Sequence, residues 1–433
     1  MSSCTALLRS LQAGEHDKTL AGLYALDGAQ DSVKKARDRA CHVVQAFLDA
    51  FSPDETTPAA LFSGPGRTEI GGNHTDHQQG HVLCGSVDLD MLACAAPNGK
   101  NVIRVQSEGY PALEISLDNL DPREEEKNTS AALVRGVASM VRELGHPLSG
   151  FDAYATSTVL SGSGLSSSAA YEVLVGNILN HFFCGGKLDA ITIAKIGQYA
   201  ENFHFGKLSG LMDQMGSSVG GAVAIDFADQ IDPVVTPVSY DFTRSGHALC
   251  IVDTGSDHSD LTEDYSDITR EMRAVAAHFG KNVLREVPEA DFRASLPVLR
   301  KEYGDRAVLR ALHFYDDDRR AVQEAQALEA GDFDRFLALV NASGLSSALH
   351  LQNTWSIANP RQQAIPVCLA VGTELLEGTG AIRVHGGGFA GTIQAFVPND
   401  KLERFKTGME ALVGEGKCHV LHIRPQGGCV VAE

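Results

Sequence analysis

The spacing of apolar residues changes along the chain, and each change predicts an element. Residues 1 to about 50 read as helical. KKARDRACHVVQAFLDAF places Val43, Val44, Phe47 and Phe51 on one side at helical spacing. SPDETTPAA breaks that pattern. LFSGPGRTEIGGNHTDHQQG is glycine-rich and polar, too long for a turn, and reads as a glycine loop near residue 64. In VLCGSVDLDMLACAA, Leu83, Gly85, Val87, Leu89, Met91 and Ala93 alternate as one face of a strand. Further strands are predicted near Val102–Gln106 and Leu113–Leu117, then a helix over Thr129–Leu144.

FDAYATSTV reads as a strand, SGSGLSSS as a loop and AAYEVLVGNILNHFF as a helix. In ITIAKIGQYAENFHF, Ile193, Ile196, Ala200 and Phe203 fall on one helical face. LSGLMDQMGSSVGG reads as a glycine-rich turn region, and GAVAIDF as a strand. A fresh strand, HALCIVDTG, follows a boundary placed near residue 240. Helices dominate from there to about residue 380, and AIRVHGGGFAGTIQAFVP ends the pattern as strand, glycine loop, strand. The class expected is α+β. The division is a helical extension over residues 1–40, an N-terminal domain over 41–240 and a C-terminal domain over 241–433.

The length of 433 residues is too great for one typical core and supports two domains. Lysine and arginine total 36 against 55 aspartates and glutamates, a net charge of −19. Such a chain repels nucleic-acid backbones and anionic membranes, so neither is an expected partner. An anionic ligand needs a local cationic patch or a metal ion. The nine cysteines form no C-x-x-C pair, which argues against a zinc ribbon or disulfide scaffold. Reduced, mostly buried thiols in a cytoplasmic protein are the expectation. No apolar run approaches about 20 residues, so no membrane span is expected.

Chemistry concentrates in a few segments. SGSGLSSSAAYEV frees the backbone at Gly162 and Gly164 and opens a helix with Ser166, Ser167 and Ser168. Unpaired amides at a helix start, with the helix dipole, make a phosphate site. The competing reading is an ordinary serine-capped helix. No G-x-x-x-x-G-K-[ST] is present, and each Gly-Lys pair, including Gly206-Lys207, is followed by the wrong residue. Gly386, Gly388 and Gly391 spell G-x-G-x-x-G, but too close to the end for a dinucleotide fold. They read instead as backbone that approaches another group closely. His74, Asp76, His77 and His81 invite a metal reading, set against a polar loop that binds a substrate. Asp213 sits among Leu211, Met212 and Met215, where burial would make it a candidate general base.

Together these segments resemble the GHMP kinase superfamily and, within it, the galactokinase family. The first family motif runs P-G-R-V-N-L-I-G-E-H-T-D-Y; Pro65-Gly66-Arg67, Gly72, His74, Thr75 and Asp76 match it. G-L-S-S-S-A-A stands intact as Gly164–Ala170, the triple-glycine motif as Gly386–Gly391, and G-[IL]-M-D-Q as Gly210–Gln214. A histidine-serine pair with a tyrosine seven residues after the histidine is kept as His258 and Tyr265. The resemblance spans residues 60 to about 400 in order.

It implies a two-domain GHMP kinase fold with the active site in the cleft between domains. It also implies ATP-dependent phosphorylation of a sugar at its anomeric hydroxyl. Gly162, Ser163, Gly164, Leu165, Ser166, Ser167 and Ser168 would cradle the ATP phosphates. Ser168 and Glu201 would hold Mg2+. Asp213 would orient or deprotonate the hydroxyl, and Arg67 would stabilise charge on the transferred phosphoryl group. Arg67, Asn73, His74, Asp76, Gly210, Asp213 and Tyr265 would meet the sugar, and Gly386, Gly387 and Gly388 would close the site. Core packing is the alternative for Tyr265, which shares a helical stripe with Leu261, Ile268 and Met272. A monomer or weak homo-oligomer is expected.

The departures bear on the sugar. The family has glutamate where this chain has Asn73, and tyrosine where it has His77. Thr68, Glu69 and Gly71 replace residues that are usually apolar or asparagine. A pocket without the family glutamate would no longer repel a sugar bearing a carboxylate, a repulsion of about a few kcal/mol at short range. The Asp76–Gln78 run is also similar to the plant galacturonate kinases. Galactose is the first expected substrate, with galacturonate or another hexose or pentose as alternatives. A sugar-sensing regulator on the same fold and a histidine-ligated metallohydrolase are the alternatives of other classes.

Overall fold

The computed structural model describes residues 2–26, 30–54, 56–159, 164–207, 209–256 and 261–433. Among the described residues, twelve strands form two sheets. The first contains β1 (Ala60–Gly71), β2 (His81–Pro97), β3 (Val102–Ser107), β4 (Leu113–Ser116), β5 (Phe151–Ser157), β6 (Ala222–Asp226) and β7 (Val234–Val238). The second contains β8 (His247–Asp253), β9 (Ala381–His385), β10 (Thr392–Pro398) and β11 (Cys418–Leu421), in the order β11-β8-β10-β9. The last strand, β12 (Cys429–Ala432), returns to the first sheet and pairs antiparallel with β1. The division at residue 240 is therefore a proposal that β12 crosses. No described helix is long and apolar enough to cross a membrane.

The segment read as a glycine loop is β1, buried over its whole length. Its glycines serve the packing. A Cβ on Gly64 would fall 2.3 Å from the Ala170 carbonyl oxygen, and one on Gly66 would fall 3.0 Å from that of Leu165. The strand thus lies against the start of the helix Ser167–Phe183. Pro65 cannot donate to a ladder, and the β1–β2 register shifts between Pro65 and Arg67. Tertiary contact outweighs the local composition here.

The stretch GLMDQMG contains a helix, Met212–Val219, rather than only a turn. Gly216 lets it close on β1 and β2, since a Cβ there would lie 2.9 Å from the Arg67 Cβ and 3.2 Å from the Cys84 Sγ. The helix Ala190–Tyr199 passes into a π-helical turn, Ala200–Phe205. That turn shifts the helical register. Ile193, Ile196 and Ala200 are buried as their spacing predicts, but Phe203 is 64% exposed and Glu201 is turned fully inward.

Three helices make up the first 51 residues. Val43, Val44 and Phe47 pack with Leu61, Leu92 and Val431, which seats these helices on the first sheet. Buried Asp90 on β2 ties this layer down. It accepts hydrogen bonds from Tyr24 at 2.9 Å and Arg39 at 2.5 Å, and pairs with Arg424 at 3.3 Å. All nine cysteines are free, and seven are buried.

Gly64→Ala is expected to destabilise the fold by about 1–3 kcal/mol, because the added methyl meets backbone that cannot yield. Gly22→Ala, in a helix with nothing within 4 Å of the new Cβ, is the control. It should be neutral or stabilising by about 0.5–1 kcal/mol. Urea unfolding midpoints of the two variants check both.

Candidate active site

A cleft of about 840 Å³ opens between the two sheets' domains. Arg67, Glu69, His74 and Asp76 line it from β1 and the loop after it. Lys207, Ser209, Gly210 and Asp213 line it from the segment around Met212–Val219. The helix Thr262–His278 contributes Tyr265, Thr269, Arg270 and Arg273, and the glycine loop after β9 contributes Gly386 and Gly387.

At its inner end Arg67 and Asp213 form a buried pair. Arg67 Nε and Nη2 donate to Asp213 Oδ1 at 2.8 and 2.6 Å. Arg67 Nη1 donates to the Gly164 carbonyl, and its backbone amide to the Leu165 carbonyl at 3.0 Å. Ser166 Oγ donates to the other Asp213 oxygen at 2.7 Å. Burial alone would push the Asp213 carboxyl up. The Arg67 charge, the Ser166 and Arg67 hydrogen bonds and the Lys207 charge outweigh it and hold it below its ordinary value. Asp213 also lies in the first turn of its helix, where the dipole favours an anion.

The serine-capped reading of the glycine-serine motif is not what the structure shows. The helix Ser167–Phe183 has no side-chain cap. Ser166, at the capping position, gives its hydroxyl to Asp213 instead. It also takes the left-handed conformation (φ 56°), which costs about 1 kcal/mol or more outside glycine. An uncapped first turn leaves amides free for an anion. Leu165 is fully buried and can face a ligand only through its backbone. Gly162, Ser163 and His258 lie outside the described residues.

Ser168 Oγ donates to Glu201 Oε1 at 3.0 Å, and Lys207 Nζ lies 3.1 Å from the same oxygen. Ser209 and Gln214 donate to Oε2 at 2.7 and 2.8 Å. A carboxylate and a hydroxyl are hard oxygen donors of the kind Mg2+ takes, with water and substrate phosphates completing its shell. The Lys207 ammonium demonstrates that a cation is stable beside Glu201. The donor set fits the ion. Behind it, Glu172 takes a hydrogen bond from Gln214 at 2.9 Å, and burial, with the Glu201 charge adding, pushes its carboxyl well up. Lys207, Ser209, Gln214 and Glu172 were not among the predicted site residues. The Gln214 motif match was the one available signal; Lys207 appeared only in a Gly-Lys pair of the wrong kind.

Asn73 does not line the cleft, contrary to expectation. It is fully buried, and its side chain is saturated. Nδ2 donates to Glu69 Oε1 at 2.9 Å and to the Gly386 carbonyl at 2.7 Å, while Oδ1 accepts from Asn353 at 2.8 Å. Glu69, noted in the sequence only as a departure, faces the cleft instead. Glu69 thus brings to the cleft a carboxylate that position 73 lacks, beside the expected Asp76. Burial pushes the Glu69 carboxyl up, opposed by Arg383, Asn73 and Arg67.

The glycine loop is fixed by side-chain donors. His74 Nε2 donates to the Gly387 carbonyl at 2.9 Å, and Tyr265 Oη to that of Gly388 at 2.8 Å. A Cβ on Gly387 would fall 2.6 Å from the Tyr265 ring, and one on Gly388 2.1 Å from the Asn353 carbonyl oxygen. Tyr265 also packs edge-on against Phe389. Tyr265 therefore packs against the core, as its helical stripe predicts, and also borders the cleft. The His74 and His77 rings lie 5.9 Å apart, whereas His81 bonds to Asp318 at 2.9 Å. Among the described residues no group of three or more His, Cys, Asp or Glu is placed to hold a metal ion.

His385, on β9, bonds Thr68 at 3.0 Å and Thr392 at 2.9 Å. Burial, with the Arg67 and Arg383 charges adding, lowers it to about 3, and burial with His77 lowers His74 to about 4. Both stay neutral in the fold, while the unfolded chain protonates them near 6.5. Below that pH the unfolded state binds more protons, so stability falls as pH falls. The decline should begin near pH 6.5 and continue toward 3–4. His385→Gln should flatten it, measured as the urea midpoint against pH.

Comparison with known proteins agrees with this geometry. The GHMP kinases N terminal domain model matches residues 132–221, and the galactokinase galactose-binding signature matches residues 45–97. A galactokinase of Streptomyces coelicolor is 32% identical over 337 residues, covering 77% of this chain and 84% of that protein. One of Streptococcus suis is 30% identical over 373 residues, covering 84% and 90%. The crystal structure of Lactococcus lactis galactokinase complexed with galactose shares the fold. Its TM-score is 0.74 at 23% identity, covering 89% of this chain and 97% of that one. A mevalonate kinase structure gives 0.59 at 13% identity, covering 84% and 99%. At 32% identity across 84% of the Streptomyces coelicolor galactokinase, this chain belongs to the galactokinase family of GHMP kinases and is a sugar kinase.

Proposed function

We propose that the chain transfers the γ-phosphoryl group of ATP to the anomeric hydroxyl of galactose. The observation that carries the role assignment is the contact set joining Arg67, Asp213, Ser166 and the Gly164 carbonyl. It places an ionised carboxylate, a guanidinium and the start of an uncapped helix in one place. Phosphoryl transfer needs positioning and charge neutralisation more than covalent help. The amides of Ser167 and Ser168 receive phosphate oxygens, and Arg67 neutralises charge on the moving group. Asp213, held below its ordinary value, is a weak base. Its first task is to orient the hydroxyl, and it accepts the proton as the new O–P bond forms. Asp76 and Gly210 flank the sugar; a Cβ on Gly210 would sit 2.8 Å from Asp76 Oδ2, so glycine keeps that wall open.

Ser168 and Glu201 are the residues that would hold Mg2+, which when bound supplies neutralising charge to the ATP phosphates. Lys207, 3.1 Å from Glu201 and kept cationic by Glu201 and Asp213 against the pull of burial, adds a second positive charge.

ADP release with ATP and magnesium should be seen with galactose when galactose, N-acetylgalactosamine, arabinose, glucose and galacturonate are compared. Chelation should abolish it and added Mg2+ restore it. Asp213→Asn should lower kcat by about 100-fold or more. Full turnover in both Asp213→Asn and Arg67→Ala would refute the assignment. Silence of the wild type on every sugar, with sugar binding retained, would favour the sensor reading.

A further inference from the structure

Two residues four apart on one segment hold exchanged chemistry. The motif that this chain resembles has asparagine and then glutamate at the positions of Glu69 and Asn73. Here the carboxylate comes first and the amide second, and the two side chains touch at 2.9 Å.

Their surroundings differ sharply. Asn73 has no exposed surface, and every polar group it owns is used. Its backbone amide donates to Asp317 at 2.8 Å, and its carbonyl takes His313 at 2.9 Å. Its Nδ2 holds the Gly386 carbonyl, a bond that a carboxylate at this position could not make. Glu69 is nearly buried too, but it borders the cleft. Only Oε1 is occupied, by Asn73 Nδ2 and by Arg383 Nη2 at 2.8 Å. Among the described residues nothing hydrogen-bonds Oε2. The side chain is thus clamped at one oxygen and offers the other.

Position along the strand says what it offers that oxygen to. Arg67 and Glu69 are two residues apart on β1, so they share a face with their backbones about 6.6 Å apart. Arg67 holds Asp213, where the reacting hydroxyl belongs. A pyranose with its anomeric oxygen at Asp213 spans roughly this distance to the oxygens on its opposite side. A carboxylate only accepts hydrogen bonds, so the group it reads there must be a donor.

We propose that Glu69 is the specificity-determining carboxylate of this sugar site, accepting a hydrogen bond from a hydroxyl at the ring end far from the anomeric carbon and excluding sugars that carry a carboxylate there. This rests on the sugar-kinase reading of the cleft. The carboxylate missing at position 73 is supplied four residues earlier. Asn73 is a positioning residue, which fixes the Glu69 carboxylate and the glycine loop at once.

The test compares wild type, Glu69→Gln and Glu69→Asp by ADP release on galactose and galacturonate, by calorimetric binding of both sugars, and by urea midpoint. Glu69→Gln keeps an acceptor for Arg383 and Asn73 and presents an amide to the cleft. Its kcat/KM for galactose should fall about 10–100-fold, the worth of one hydrogen bond to a charged group. The galacturonate-to-galactose ratio should rise, a change that a merely structural role would not produce. Glu69→Asp keeps the charge beside Arg383 but withdraws the oxygen. It should lose galactose affinity with its midpoint retained, which keeps the idea testable if Glu69→Gln does not fold. Unchanged galactose binding in either folded variant, or an unchanged ratio in Glu69→Gln, overturns the proposal while wild-type turnover leaves the kinase reading standing. A wild type that neither turns over nor binds either sugar overturns both.

Discussion

The Arg67–Asp213 pair is the constraint around which the site is organised. Arg67 is buried and Asp213 largely so, and an isolated buried charge is costly unless paired and hydrogen-bonded. Pairing them joins three separate pieces of chain: β1, the start of the helix Ser167–Phe183, and the helix Met212–Val219. The close approach needs residues without side chains. Gly66 admits the Leu165 carbonyl, and Gly216 admits the stem of Arg67. The strained Ser166 backbone fits the same account, since its hydroxyl completes Asp213 rather than capping its own helix. Strain and glycine content thus concentrate where β1 and these two helices meet.

The same logic repeats outward from that pair. In a chain of net charge −19, three cations in and behind the cleft sit beside anions. Arg67 has Asp213, Lys207 has Glu201, and Arg383 has Glu69. Arg383 is wholly buried, so its charge demands Glu69 in the folded state. Lys207 is more exposed, so its pairing with Glu201 is more easily exchanged. One pair is therefore locked and another labile, a difference set by burial rather than by residue type.

Much of this was legible in the sequence, and the rest was hidden for identifiable reasons. The G-L-S-S-S-A-A and G-L-M-D-Q runs marked segments that the fold brings together, because backbone approach and charge placement restrict residue choice there. The helical faces of Val43, Val44 and Phe47 followed from spacing alone. The strand β1 did not, because its glycines and proline read as a loop until the helix they pack against is known. Phe203 was misplaced because a π-helical turn inserts an extra residue that periodicity cannot reveal. Asn73 was misplaced for a third reason. The motif says which residue differs, but its partners come from Asn353, Asp317 and His313, which are distant in sequence.

Those distant partners determine how the cleft is closed. Gly386, Gly387 and Gly388 each give a carbonyl to a side-chain donor: Asn73, His74 and Tyr265 in turn. Asn353 adds a second donor to Gly387 at 3.1 Å. Two of these donors belong to the loop after β1 and two to the helical layer after β8, so the loop is held from both sides of the cleft. His74 can do this because burial keeps its ring neutral, with Nε2 as the donor. A loop whose carbonyls are satisfied in this way gains nothing from opening to water. It acts as a fixed wall, and discrimination between sugars then falls to groups whose hydrogen-bonding capacity is still unspent. Along β1 that is the second oxygen of Glu69.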